Sequence, residues 1–153
     1  MAVRHRVSKA ITIPPAVEAA VGVLMAADHL QTTFAEICER YGVTTDQYKV
    51  LRILREAPPG GFARGEVAER CIFSRSPDMT RMLDRLVRQG LAKRGPAPGD
   101  RRCSIATITR AGRAVLNRID PEIAAAARRL TKSLSSTQLT QLTSLTEALV
   151  PLD

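Results

Sequence analysis

The sequence predicts a mainly α fold with a small β-hairpin (α+β), and three observations predict it. Apolar residues recur at helical spacing from Met79 to Val87; two short segments, one of them alternating, then flank a Pro/Gly loop that carries arginines; further helical periods lie on both sides of this module. The 153 residues suffice for one domain with its own core. Hydrophobic residues make up 44% of the chain, but aromatic residues only 3% and Trp none, so the core is expected to be built from Ala, Leu and Val on helices.

Residues 1–12 carry Arg4, His5, Arg6 and Lys9 without an apolar period, and read as a basic flexible N-terminal arm. A long helix is expected over residues 14–41, opened by Pro14-Pro15 and ended by Gly42, with Val17, Val21, Leu24, Phe34, Ile37 and Tyr41 on one stripe. Thr44-x-x-Gln47 is a capping-box pattern, Tyr48, Leu51 and Leu54 follow it on one face, and Pro58-Pro59-Gly60-Gly61 stops the helix. Arg64 to Cys71 reads as a short helix with Val67, Ala68 and Cys71 inward, and Ile72 to Arg75 as a turn.

The next helix is expected to begin with Ser76 as N-cap and Pro77 at its first position, to run to Gln89, and to stop at Gly90. Met79, Met82, Leu83, Leu86 and Val87 share its core stripe, while Thr80, Arg81, Asp84, Arg85 and Arg88 fall on the remaining surface. Asp84 is placed to orient Arg81, Arg85 or Arg88 through helix-spaced pairs. Leu91 to Arg94 fits a strand, Gly95 to Arg102 a loop broken by Pro96, Pro98 and Gly99, and Ser104 to Ile108 a returning strand. Thr109 then caps a helix with Ala114, Val115, Ile119, Ile123, Ala127 and Leu130 in its stripe, and Asp120-Pro121 predicts a kink in it. Ser135-x-x-Gln138 caps a last helix lined by Leu139, Leu142, Leu145 and Leu149.

Helix, turn, helix and basic hairpin in that order form a winged helix-turn-helix over residues 43–108, flanked by N- and C-terminal dimerisation helices at 14–41 and 109–153. A leucine face left in water favours pairing of two chains, and a twofold pair demands an inverted-repeat site on DNA. The second helix fits the major groove, and the hairpin can bring Arg101 and Arg102 to the minor groove, with Asp100 holding Arg102. Net charge is +8, and residues 62–102 hold ten Lys or Arg against five acids, so the positive excess is concentrated where double-stranded DNA would lie.

Catalysis is not indicated, since H-E-x-x-H, Walker-type and G-x-S-x-G patterns are missing and only two histidines occur. Cys38, Cys71 and Cys103 form no C-x-x-C pair or metal-ligand spacing, so no metal or cofactor is expected. Cys38 and Cys71 read as small core residues, while Cys103 beside two arginines has a physical basis as a redox switch. His29 reads as a partly buried structural histidine. Val21 to Ala27 is apolar but far shorter than the ~20 residues of a membrane span, so no membrane partner is expected and the location is cytoplasmic.

Thr80-Arg81-Met82-Leu83-Asp84-Arg85-Leu86-Val87, Gly90-Leu91, Asp100-Arg101-Arg102 and Thr109-Arg110-Ala111-Gly112-Arg113 resemble the MarR family of bacterial winged-helix regulators from about Val43 to Arg113. The resemblance implies an obligate homodimer on a palindromic operator, often released by a small phenolic or other aromatic effector or by oxidation. It places Thr80 and Arg81 on the recognition helix and makes Asp100 and Arg102 the Asp-x-Arg pair of the wing. Arg75-Ser76-Pro77-Asp78 is particular to this chain, so the operator sequence does not carry over. The DNA-binding residues expected are therefore Arg75, Ser76, Thr80, Arg81, Arg85, Arg101 and Arg102. The function implied is a sequence-specific regulator, a repressor by expectation; the alternatives are a cysteine-based redox sensor, a non-specific architectural DNA-binding protein, and a protein-interaction module.

Overall fold

The computed structural model describes residues 13–71, 78–97 and 100–149. The helices are α1 (Pro15–Arg40), α2 (Thr45–Arg55), α3 (Arg64–Arg70), α4 (Met79–Arg88), α5 (Arg110–Leu130) and α6 (Ser136–Leu149). The strands β1 (Phe62–Ala63), β2 (Ala92–Ala97) and β3 (Asp100–Ile108) make an antiparallel sheet in the order β1-β3-β2. The arrangement is the mainly α winged fold anticipated from the sequence.

Local chemistry accounts for most of the boundaries. Thr44 Oγ1 accepts from the Gln47 backbone N–H and Gln47 Oε1 from that of Thr44, closing the anticipated capping box of α2. The same reciprocal pair joins Ser135 and Gln138 ahead of α6. Gly42 and Gly90 take the left-handed φ values of 74° and 71° at the ends of α1 and α4, where an L side chain would be strained.

Several expectations are corrected. Within the described residues α4 starts at Met79 with Asp78 as its N-cap, the Asp78 carboxylate accepting from the Arg81 backbone N–H at 3.0 Å. A carboxylate at a helix N-terminus gains from the helix dipole as well as from the hydrogen bond. Ser76 and Pro77 lie outside the described residues. The hairpin is longer than expected, since Gly95 to Ala97 and Asp100 to Arg102 are strand rather than loop. Pro96 is tolerated because β2 is an edge strand, and the register shifts between Pro96 and Ala97. β1 was not anticipated. Ala68 is exposed, since the short α3 turns only Val67 inward and Cys71 follows one turn later. The buried stripe of α5 is Gly112, Leu116, Ile119 and Ala126, so Leu116 replaces the expected Ala114 and the expected Leu130 is exposed; Pro121 lies inside the helix, with no loop there, as expected. His29 is exposed rather than partly buried.

The core lies between α2, α4, α5 and the sheet. Leu51, Leu54, Leu83, Leu86, Leu116 and Ile119 are almost completely buried, each worth about 1.5–3 kcal/mol in burial. Exposed ion pairs contribute about 0–1 kcal/mol, so α4 is held chiefly by its apolar stripe and its polar face is left available.

Candidate nucleic-acid interface

Burial of Met79, Met82, Leu83 and Leu86 fixes the rotation of α4 and turns Thr80, Arg81, Arg85 and Arg88 to solvent. Arg81 is the most open of the paired cations among the described residues, its side chain 81% exposed, and its Nε lies 2.9 Å from Asp78 Oδ2. Asp78 thus caps the helix with one oxygen and orients the first outward arginine with the other. So exposed a pair is weak and exchanges readily for another anion. Arg85 and Arg88 make no ion pair among the described residues.

Asp84 does not orient the helix cations as expected. Its Oδ1 lies 2.9 Å from Arg94 Nη1 on β2, and Arg94 Nη2 donates to the Thr80 carbonyl at 3.3 Å. One guanidinium therefore ties the hairpin to α4 at two points and sets the angle between them. From the sequence Arg94 reads as the end of a strand and one of the ten local cations; nothing in the local pattern marks a partner on another element.

Asp100, Arg101 and Arg102 lie on β3 where it leaves the hairpin tip, with Asp100 in register with Ala97. Their side chains, and with them the expected Asp100–Arg102 contact, lie outside what the structure describes. So do Arg75, Ser76 and the Cys103 side chain. Thr80, Arg81 and Arg85 are thus the expected contact residues that the structure brings onto one face.

Behind this face, α2 is fastened to α5. Tyr48 donates to Asp120 Oδ1 at 2.8 Å, and Arg55 Nη1 to Asp120 Oδ2 at 2.6 Å. Burial pushes the Tyr48 phenol up, with help from Asp120, to about 12. Burial would raise Asp120 as well, but the hydrogen bonds from Arg55 and Tyr48 outweigh it and hold the carboxyl below its usual range. Nearby, Glu122 accepts from both Arg40 and Tyr41, and Arg118 lies 4.7 Å over the Tyr41 ring, which joins the end of α1 to α5. A cavity of about 330 Å³ opens between α2 and α3, lined by Tyr48, Arg52, Ile53, Arg70 and Cys71. Cys38 and Cys71 are buried as expected of core residues, and burial raises the Cys38 thiol. Among the described residues no helix is long and apolar enough to cross a membrane.

The MarR family profile matches residues 41–102, from the end of α1 to the wing. The homoprotocatechuate degradative operon repressor of Escherichia coli is 30% identical over 132 residues, which cover 86% of this chain and 87% of the relative. The chain belongs to the MarR family. Solved MarR-family structures match it in three dimensions, two of them bound to DNA. A MarR family transcriptional regulator from Streptomyces coelicolor, in complex with DNA, gives a TM-score of 0.75 at 25% identity and covers 95% of each chain. A cysteine-to-serine mutant of MarR from Escherichia coli, complexed with operator DNA, gives 0.74 at 25% identity and covers 86% of this chain and 93% of its own. The MarR-family assignment agrees with the motifs on α4, β3 and the start of α5.

Proposed function

We propose that this chain is a dimeric, sequence-specific repressor of transcription in the cytoplasm, without enzymatic activity, that binds palindromic operators. The observation that carries the reading is the outward face of α4, where Thr80, Arg81 and Arg85 stand exposed beside a hairpin locked to the same helix by Arg94. Two matching structures hold DNA, and the curated relative is an operon repressor, which supports the same direction.

In this reading Thr80, Arg81 and Arg85, with Arg75 and Ser76 ahead of them, address the major groove and its phosphates. Arg101 and Arg102 enter the minor groove, with Asp100 holding Arg102. The helices of residues 14–41 and 109–153 pair two chains and place the recognition helices about one DNA turn, ~34 Å, apart. A small aromatic effector lowers DNA affinity by shifting the spacing of the two lobes. The cavity beside Tyr48, Arg52 and Arg70 supplies an aromatic wall and cations suited to such a ligand.

Selection of bound sequences from a random duplex pool tests specificity, symmetry and spacing together. An inverted repeat should emerge, bound about a thousandfold or more tighter than random duplex at physiological salt. A pool that stays unenriched while duplex is still retained would identify a non-specific architectural protein instead.

A further inference from the structure

The geometry points to Gln47 and Gln89 as positioning residues for DNA recognition, a relay of two side-chain amides that fixes the angle of α4 against the corner between α1 and α2. The inference rests on the DNA-binding reading above.

Gln47 is a polar side chain inside the core, 5% exposed. Its Oε1 accepts from the Thr44 N–H at 2.9 Å, and its Nε2 donates to Gln89 Oε1 at 2.8 Å. Gln89 Nε2 in turn donates to the Gly42 carbonyl at 3.2 Å. The chain of bonds has one polarity. A backbone N–H at Thr44 requires the oxygen of Gln47, which turns its nitrogen to the oxygen of Gln89, which turns the second nitrogen to a carbonyl; flipping either amide sets like against like. A capping box needs only an acceptor at Gln47, which glutamate supplies equally well. The amide is required by the second bond, the one that reaches α4.

Gln89 is the C-cap of α4, and the residues after it are also held from outside the helix. Thr109 Oγ1, at the start of α5, donates to the Gly90 carbonyl at 2.7 Å, and the Thr109 N–H donates to that of Leu91 at 3.0 Å. The C-terminal end of the recognition helix is therefore pinned by both flanking helices, through Gln89 toward α1 and through Thr109 toward α5. Arg81 lies eight residues, about 12 Å, from that anchor, so a tilt of about 5° there moves it by about 1 Å. Such a shift spoils base-edge hydrogen bonds and leaves the general attraction of the cations for phosphate unchanged.

The test uses the full-length protein, the duplex enriched by the wild type and a random duplex, with thermal unfolding measured in parallel. The readout is the ratio of the two affinities, which cancels added or removed charge. Gln89→Ala, at an exposed position, should fold normally and lower the ratio about tenfold, the equivalent of one misplaced hydrogen bond. Gln47→Glu keeps the cap of α2 but cannot donate to Gln89, and should lower the ratio likewise. Gln47→Glu combined with Gln89→Lys should restore it, since one ammonium can donate to the new carboxylate and to the Gly42 carbonyl. The proposal is overturned by a wild-type ratio in Gln89→Ala, by equal losses on both duplexes, or by a double variant no better than Gln47→Glu. A wild type that enriches no duplex would instead remove the DNA-binding reading itself, and the relay's role with it.

Discussion

Arg81 and Arg94 carry the same charge on neighbouring elements, yet their partners assign them different work. Arg81 is exposed and paired weakly with Asp78, whereas Arg94 bridges Asp84 and the Thr80 carbonyl. Arg81→Ala should lower affinity for the enriched duplex by about 1–3 kcal/mol if it reads a base, or reduce the salt slope by about one if it meets a phosphate. Fluorescence anisotropy across a salt series distinguishes the two, and unchanged affinity and slope would remove Arg81 from the interface. A second residue-scale prediction concerns Asp120 and Tyr48. The folded Asp120 carboxyl is depressed, so its contribution to stability is present above the ordinary carboxylate pKa and is lost as pH falls through the lower folded value. The folded Tyr48 phenol is raised from 10.0 to about 12, so its contribution is present below pH 10 and is lost as pH rises through that interval. Asp120→Asn should flatten the acid limb and Tyr48→Phe the alkaline limb of a urea-unfolding pH series, each costing about 1–2 kcal/mol at neutral pH. Thr80, Arg81 and Arg85 were legible from sequence because helical period alone divides a core stripe from an outward face. Arg94, Gln89 and Asp120 were not, since their partners stand 14, 47 and 72 residues away and no local pattern encodes a meeting at that separation.

Glycine separates close packing from loose packing at the scale of elements. Gly112 opens α5 against the end of α4, and a Cβ there would fall inside contact distance of the Leu91 carbonyl oxygen, a backbone atom with little room to yield. Gly65 in α3 faces open space, with nothing within 4 Å of an added Cβ. Gly112→Ala should therefore destabilise by about 1–3 kcal/mol, while Gly65→Ala should stabilise by about 0.4–1 kcal/mol through a less disordered unfolded chain. Thermal unfolding of the two variants checks both signs, and a neutral Gly112→Ala would show that α5 can slide on α4. The same scale explains what the sequence made legible in the fold. Long periodic segments such as α2 and α4, with Thr44-x-x-Gln47 or a terminal glycine at their edges, were readable because burial and capping repeat along one element. The two residues of β1 carry no period, and pair with β3 only because Phe62 meets Ala106 and Ala63 meets Ile105 across the sheet. At the start of α4 three adjacent residues, Ser76, Pro77 and Asp78, each carry a start signal, and residue type alone does not single out Asp78, whose carboxylate caps the described helix. The hairpin outgrew its expected length because an edge strand tolerates a proline that a central strand would reject.

At the scale of the whole molecule, one chain leaves a large apolar surface open. Leu24 on α1 is 68% exposed, and Leu145 and Leu149 on α6 are 65% exposed each. No residue of α6 is buried within the chain, so its leucines contribute little to the core that holds the DNA-binding lobe together. Leu145→Glu should consequently leave the fold intact and act on association alone, because a carboxylate in an apolar contact between two chains would be desolvated without a partner. Sedimentation velocity should show a dimer for the wild type and a monomer for the variant at the same concentration. The consequence for DNA follows from the linkage of half-sites: a dimer gains its second half-site intramolecularly, an advantage of about 10²–10⁴, whereas a monomer binds each half-site alone. Leu145→Glu should therefore lose that factor on a palindromic duplex while binding a single half-site as well as before. A variant that sediments as a dimer, or a monomer that holds the palindrome at wild-type affinity, would refute the twofold arrangement of the two lobes.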